Sequence, residues 1–188
     1  EGTTGGDRSL FGFEWPADVK GTKLLTWSHK DRNDDQWLYL PALKRVKRIS
    51  SSNKSGSFMG SEFSYEDLSS REVDKYKYKF VEETKLDGRP TWVIEQYPTD
   101  KDSGYSKMVV WIDQEYMGAV KTDYYDRKGV LLKQSEMSAY KLYGKFWRFD
   151  EIKIKNVQTR KSSVMSWDNH ELNLYLDDDE FETDALED

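Results

Sequence analysis

The sequence predicts a mainly β protein, built on a curved antiparallel sheet with only a few short helices. Three observations predict it. Residues 76–80 (YKYKF) alternate strictly between aromatic and basic side chains, the period of a half-buried strand. An Asp87-Gly88 pair separates that run from a second strand-like run, which is a strong hairpin signal. In residues 146–157 the apolar positions change phase: Trp147 and Phe149 are odd, Ile152 and Ile154 even. A bulge or bend near Asp150-Glu151 would reconcile them, and bulged sheets curve.

Taken in order, residues 9–13, 22–28, 36–40 and 46–49 read as the first strands. Pro16 is pre-set for one helical turn over residues 16–20. Residues 50–61 (SSSNKSGSFMGS) form the longest loop candidate, either a connector or a flap whose backbone amides could cradle an anion. Its apolar pair, Phe58 and Met59, should either dock on the core or meet a ligand. Ser64 and Asp67 have capping-box spacing. Strands follow over residues 76–86, 91–97, 105–113, 119–126, 130–142, 146–159 and 162–167, with a DRKG turn at 126–129. The total is about ten antiparallel strands. Residues 178–186 begin with acids, as a helix N-terminus prefers, and Phe181 and Leu186 could dock that helix.

The chain has 188 residues, enough for one domain around one sizeable core. No apolar run reaches the roughly 18 residues of a membrane-spanning helix. Cys is absent, which removes disulfides, thiol catalysis and Cys-ligated metals together. The net charge of −6 is local: residues 177–188 hold eight acids and no base, and the remainder is near neutral. Lys44, Arg45, Lys47, Arg48 and Lys54 make a basic segment without an acid, suited to an anionic headgroup or an acidic partner. The acidic balance argues against a nucleic-acid binder. Residues 1–7 carry no apolar signal-peptide core.

No nucleophile elbow, P-loop or dinucleotide fingerprint is present. His29 and His170 stand apart and read as exposed residues at strand ends, and residues 31–35 (DRNDD) read as a turn. Neither a cofactor nor a catalytic residue is expected. Six tryptophans lie in predicted strands, either as ordinary core or as the lining of a deep apolar pocket. Candidate liners are Trp27, Trp37, Tyr39, Tyr78, Phe80, Trp92, Ile94, Val110, Ile112, Trp147 and Phe149, with Phe58 and Met59 from the loop. At residues 109–112 both faces are apolar, so the choice of Val110 and Ile112 over Val109 and Trp111 is arbitrary at this level.

Residues 16–22 (PADVKGT), 34–49 (DDQWLYLPALKRVKRI) and 55–68 (SGSFMGSEFSYEDL) resemble the outer membrane lipoprotein-sorting proteins of the LolA-like superfamily. Weaker similarity follows at 125–129 (YDRKG), 144–147 (GKFW) and 181–186 (FETDAL). The resemblance implies a strongly curved antiparallel sheet, an incomplete barrel with short helices over its open side. It implies a cavity for lipid or lipoprotein acyl chains, a periplasmic setting, no cofactor and no enzyme activity. An inner-membrane transporter or an outer-membrane acceptor would be the partner, with peripheral membrane contact through Lys44, Arg45, Lys47 and Arg48. Relatives look longer at the N-terminus, so residues 1–188 would be a single domain lacking a part that they carry. Two other functions fit the same architecture: an accessory interaction module of an envelope transporter, and a cofactor-free enzyme.

Overall fold

The computed structural model describes residues 6–187. Glu1 to Gly5 and Asp188 lie outside the described residues, and with them most of the N-terminal stretch and the last acid of the tail. Four strands come first: β1 (Arg8–Gly12), β2 (Lys23–Trp27), β3 (Asp35–Leu40) and β4 (Arg45–Ile49). They form an antiparallel meander in the order β1-β2-β3-β4. A connecting segment of short 3-10 turns (Ser51–Asn53, Tyr65–Leu68, Val73–Lys75) leads to β5 (Tyr76–Leu86), β6 (Arg89–Pro98), β7 (Tyr105–Asp113), β8 (Gly118–Asp126) and β9 (Leu131–Ser138). A small hairpin, β10 (Lys141–Tyr143) and β11 (Phe146–Arg148), precedes β12 (Glu151–Asn156) and β13 (Ser162–Ser166). The larger sheet has seven strands in the order β13-β12-β9-β8-β7-β6-β5. Every pairing is antiparallel, and among the described residues no sheet closes into a barrel.

The β5–β6 turn forms where the sequence places it. Asp87 and Gly88 both have positive φ, 49° and 80°, the condition for a two-residue turn whose twist matches the strands. Register shifts between Phe80 and Glu82, Tyr105 and Lys107, Trp111 and Ile112, and Tyr124 and Tyr125 bend the large sheet.

Four expectations differ. A single sheet becomes a four-stranded and a seven-stranded one, because residues 50–75 run between them. The predicted strand 130–142 breaks at Ala139, which adopts a left-handed φ of 54°. The predicted strand 146–159 breaks at Phe149-Asp150, the point of the phase change. There the Asp150 carboxylate takes Lys141, Tyr143 and His170, while its carbonyl accepts the Trp167 amide at 2.8 Å. The predicted C-terminal helix is two 3-10 turns, Asp178–Phe181 and Asp184–Leu186. Nine residues are too few for a stable isolated helix, and five of these nine are acidic.

One hydrophobic cluster joins both sheets. It includes Leu24, Leu38 and Ile49 from the small sheet, Phe58, Phe63 and Leu68 from the connecting segment, and Tyr105, Met108, Val110, Tyr124 and Ile154 from the large sheet. Pairing in register fixes which side chains share this face: Ile94 opposes Val110, Val110 opposes Thr122, and Tyr124 opposes Lys133. The other face of the large sheet mixes apolar and charged side chains: Val93 is buried opposite Trp111, Lys107 pairs with Glu95 at 2.9 Å, and Lys121 lies over the Trp111 ring at 4.2 Å.

The C-terminal turns cover the back of the small sheet. Trp27 Nε1 donates to the Phe181 carbonyl at 2.7 Å, Lys23 Nζ donates to the Ala185 carbonyl at 3.3 Å, and Arg8 pairs with Glu182 at 3.0 Å. Leu25 and Leu186 are thereby fully buried.

Candidate functional site

The Tyr65–Leu68 turn is fastened to the core face of the large sheet by a buried polar network. Its capping box is complete: the Asp67 amide donates to Ser64 Oγ, and the Ser64 amide donates to Asp67 Oδ2 at 2.7 Å. Lys133 Nζ, from β9, reaches the same Oδ2 at 2.5 Å, and both side chains are only 5% exposed. Tyr105 Oη donates to Asp67 Oδ1 at 2.7 Å. Burial, then the Asp67 charge, pushes the Tyr105 phenol well above its ordinary range. Lys133 also lies 5.2 and 5.4 Å from the Tyr105 and Tyr124 ring centroids.

Beyond this turn the core face is only partly covered. At its centre Met108, Val110 and Tyr124 are buried. Toward the β5 edge, Trp92, Ile94 and Ile112 are half-buried, and Tyr78 and Phe80 are 45% and 58% exposed. Register puts them on one face: Tyr78 opposes Gln96, Phe80 opposes Ile94, and Trp92 opposes Ile112. Six of the predicted liners, Tyr78, Phe80, Trp92, Ile94, Val110 and Ile112, therefore share the core face of the large sheet, with the polar Gln96 opposite Tyr78 and Glu83 accepting from Trp92 Nε1 at 3.0 Å. Val110 and Ile112, not Val109 and Trp111, point to the core.

Arg71 lies at the inner end of this open strip. Its Nη2 donates to the buried Tyr124 hydroxyl at 3.0 Å, so the guanidinium is turned toward the core although the residue as a whole is exposed. Desolvation works against its charge, but the nearby Tyr124 and Tyr76 phenols and the Asp67 carboxylate outweigh that, so it stays cationic. Tyr76 is pushed up to about 12 by burial, which the Arg71 charge partly opposes. Arg71 carries no sequence signal, being a lone base between a loop and a strand.

The other candidates lie elsewhere. Phe58 is 3% exposed and packs on Phe13 at 4.8 Å, so it fills the core and leaves no surface for a ligand. Half-buried Met59 packs against the same cluster. Trp27, Trp37 and Tyr39 are on the opposite face of the small sheet from Leu24 and Leu38. The two tryptophans meet edge-on at 4.9 Å. Trp147 and Phe149 join a separate aromatic cluster with Tyr116, Tyr140 and Trp167. Lys44, Arg45, Lys47 and Arg48 are all exposed on β4 and the turn before it, and Arg48 pairs with Asp35. His29 and His170 are half-buried rather than exposed, because each faces a carboxylate at 3.0 Å, Asp35 and Asp150 respectively.

A cleft between the sheets is polar. Lys75 pairs with Asp34 and Lys54 with Asp100, each at 2.5 Å, beside Gln36, Glu66 and Tyr76. Burial raises the Glu66 pKa, opposed by hydrogen bonds from Ser103 and the Gly104 amide. Among the described residues, no group of three or more His, Asp or Glu side chains is arranged to hold a metal ion.

The comparison with solved structures decides the family. A domain from Vibrio parahaemolyticus, described as an outer membrane lipoprotein-sorting protein domain, is 48% identical to this chain. It superposes with a TM-score of 0.91 over 100% of this chain and 80% of that one. The chain belongs to the outer membrane lipoprotein-sorting protein family. A DUF1329 family protein from Desulfovibrio piger is 36% identical, with a TM-score of 0.90 over 95% of this chain and 76% of that one. A LolA superfamily protein from Nitrosomonas europaea shares the fold at 21% identity, with a TM-score of 0.75 over 96% and 79% of the two chains. A family model described only as an uncharacterized protein matches residues 5–188. No curated protein matches the chain. In this lipoprotein-sorting family member, Tyr78, Phe80 and Trp92 lie on the core face of the large sheet.

Proposed function

We propose that the chain is a single-domain periplasmic carrier that holds acyl chains of a lipid or lipoprotein against the concave face of the large sheet. The observation that supports it most is the apolar strip of exposed Tyr78 and Phe80 and half-buried Trp92, Ile94 and Ile112, which joins the core through Ile94 and Ile112. A fully buried methylene is worth about 0.8 kcal/mol, and one with a wet side roughly half of that. A chain laid on an open face is therefore held reversibly, as a carrier requires. Family membership supports the same reading. Lys44, Arg45, Lys47 and Arg48 form an exposed basic edge for anionic headgroups or for an acidic transporter or acceptor. Binding and release of this kind use neither a catalytic residue nor a cofactor.

The test is native mass spectrometry of the purified protein, followed by solvent extraction. The proposal expects a reproducible mass excess that extracts as phospholipid, fatty acid or lipopeptide. A clean apo mass, with no uptake of an added fluorescent fatty acid, would overturn it.

A further inference from the structure

Three observations converge at Arg71. First, a guanidinium carries five donors, and among the described residues the only hydrogen bond Arg71 makes is the one to Tyr124. Second, no carboxylate among the described residues lies within ion-pair distance of it. Asp67, the carboxylate that acts on its charge, is already occupied by Lys133, Tyr105 and the Ser64 amide. Third, the charge sits beside the apolar strip, close enough to bear on the ionisation of both Tyr76 and Tyr78. Tyr78 is itself fixed by donating to the Val73 carbonyl at 3.1 Å. A cation with free donors at one end of an exposed apolar strip has the polarity of an amphiphile with an anionic head.

We propose that Arg71 anchors the headgroup, and that the concave face selects amphiphiles ending in a carboxylate or phosphate over neutral ones. This rests on the carrier reading above. The planar fork of guanidinium N–H groups matches both oxyanions, and the alkyl chain then runs from Arg71 along Tyr78, Phe80 and Ile94. The free charge at Arg71 then serves a purpose that no protein carboxylate serves.

The experiment titrates the protein with pyrene-labelled dodecanoate and with its methyl ester, with dodecyl phosphate and inorganic phosphate as competitors. Wild type should bind the acid roughly ten- to a hundredfold tighter than the ester, the range of a charge-assisted hydrogen bond. Arg71→Gln should bring the acid down to the ester and leave the ester unchanged, which also shows that the variant is folded. Arg71→Lys should restore part of the preference. Phe80→Asp should weaken acid and ester together. Dodecyl phosphate should displace the labelled acid, placing both oxyanions at one site. Failure of dodecyl phosphate to compete would restrict the head to a carboxylate and overturn the phosphate half of the proposal. Displacement by millimolar inorganic phosphate alone would mark a free-anion site and overturn the amphiphile assignment. A preference for acid that survives in Arg71→Gln, or equal binding of acid and ester by wild type, would overturn the role of Arg71 while leaving the carrier reading standing. Binding of neither probe by wild type would remove the carrier reading itself.

Discussion

The buried Asp67–Lys133 pair should be the strongest single tie between the connecting segment and the large sheet. The two charged atoms are 2.5 Å apart, with both side chains 5% exposed. Removing one partner strands the other where water cannot solvate it, which costs about 3–5 kcal/mol, whereas apolar replacement of both is often near neutral. In Lys133→Met, Asp67 keeps Tyr105 and the Ser64 amide, so the loss should fall at the lower end. In Asp67→Leu, Lys133 keeps the Glu62 carbonyl at 3.2 Å and its position over two phenol rings, with no counter-charge, so the loss should fall at the upper end. For a chain of this length, 3–5 kcal/mol corresponds to roughly 6–20 °C in Tm. Urea titration of both single variants and the double variant, followed by tryptophan fluorescence and by circular dichroism, measures the coupling. The expected result is two unstable single variants and a double variant more stable than the sum of the two losses. Single variants within about 1 kcal/mol of wild type, or strict additivity, would refute the reasoning.

Other outcomes follow from the same structure. Phe58→Ala should lose roughly 3–5 kcal/mol in urea titration, because it empties a buried ring site between the sheets; a loss below about 1 kcal/mol would mean that Phe58 is not core. Burial raises the Asp35 pKa, but hydrogen bonds from Arg32, Arg48 and His29 more than offset this and hold it at about 2, against 3.8 in the unfolded chain. Its contribution, about 2 kcal/mol, is present above pH 3.8 and is lost as the pH falls through 2. Asp35→Asn should therefore be less stable at pH 7 and converge on wild type near pH 2; a gap independent of pH would contradict this. Charge reversal at Lys44, Arg45 and Lys47 should weaken sedimentation with vesicles rich in anionic lipid, more so at low salt, without changing acyl-probe affinity. Unchanged sedimentation would remove that edge as a membrane contact.

Local patterning was the legible part of this chain. The Asp87-Gly88 turn, the Ser64–Asp67 capping box and the break at Asp150 are each set by a few neighbouring residues, and each appears where the sequence places it. The aromatic faces were only half legible. Period two separates Trp27 from Leu24, but it does not say which face meets the second sheet and which meets the C-terminal turns. Trp37 and Tyr39 were ambiguous for the same reason. In Phe58 the sequence allowed core or ligand contact, and only packing across the two sheets decides for core. Arg71 and the Asp67–Lys133 pair were not legible, because contacts 53 and 66 residues apart leave no local pattern.

The central claim is that the concave strip of the large sheet receives an acyl chain. Photo-crosslinking with a diazirine-bearing fatty acid, followed by peptide mapping, tests it most directly. Label is expected on Tyr78, Phe80, Trp92, Ile94 and Ile112, suppressed by excess unlabelled dodecanoate. Label confined to Trp27 and Trp37 on the back of the small sheet, or no competable label at all, would contradict it.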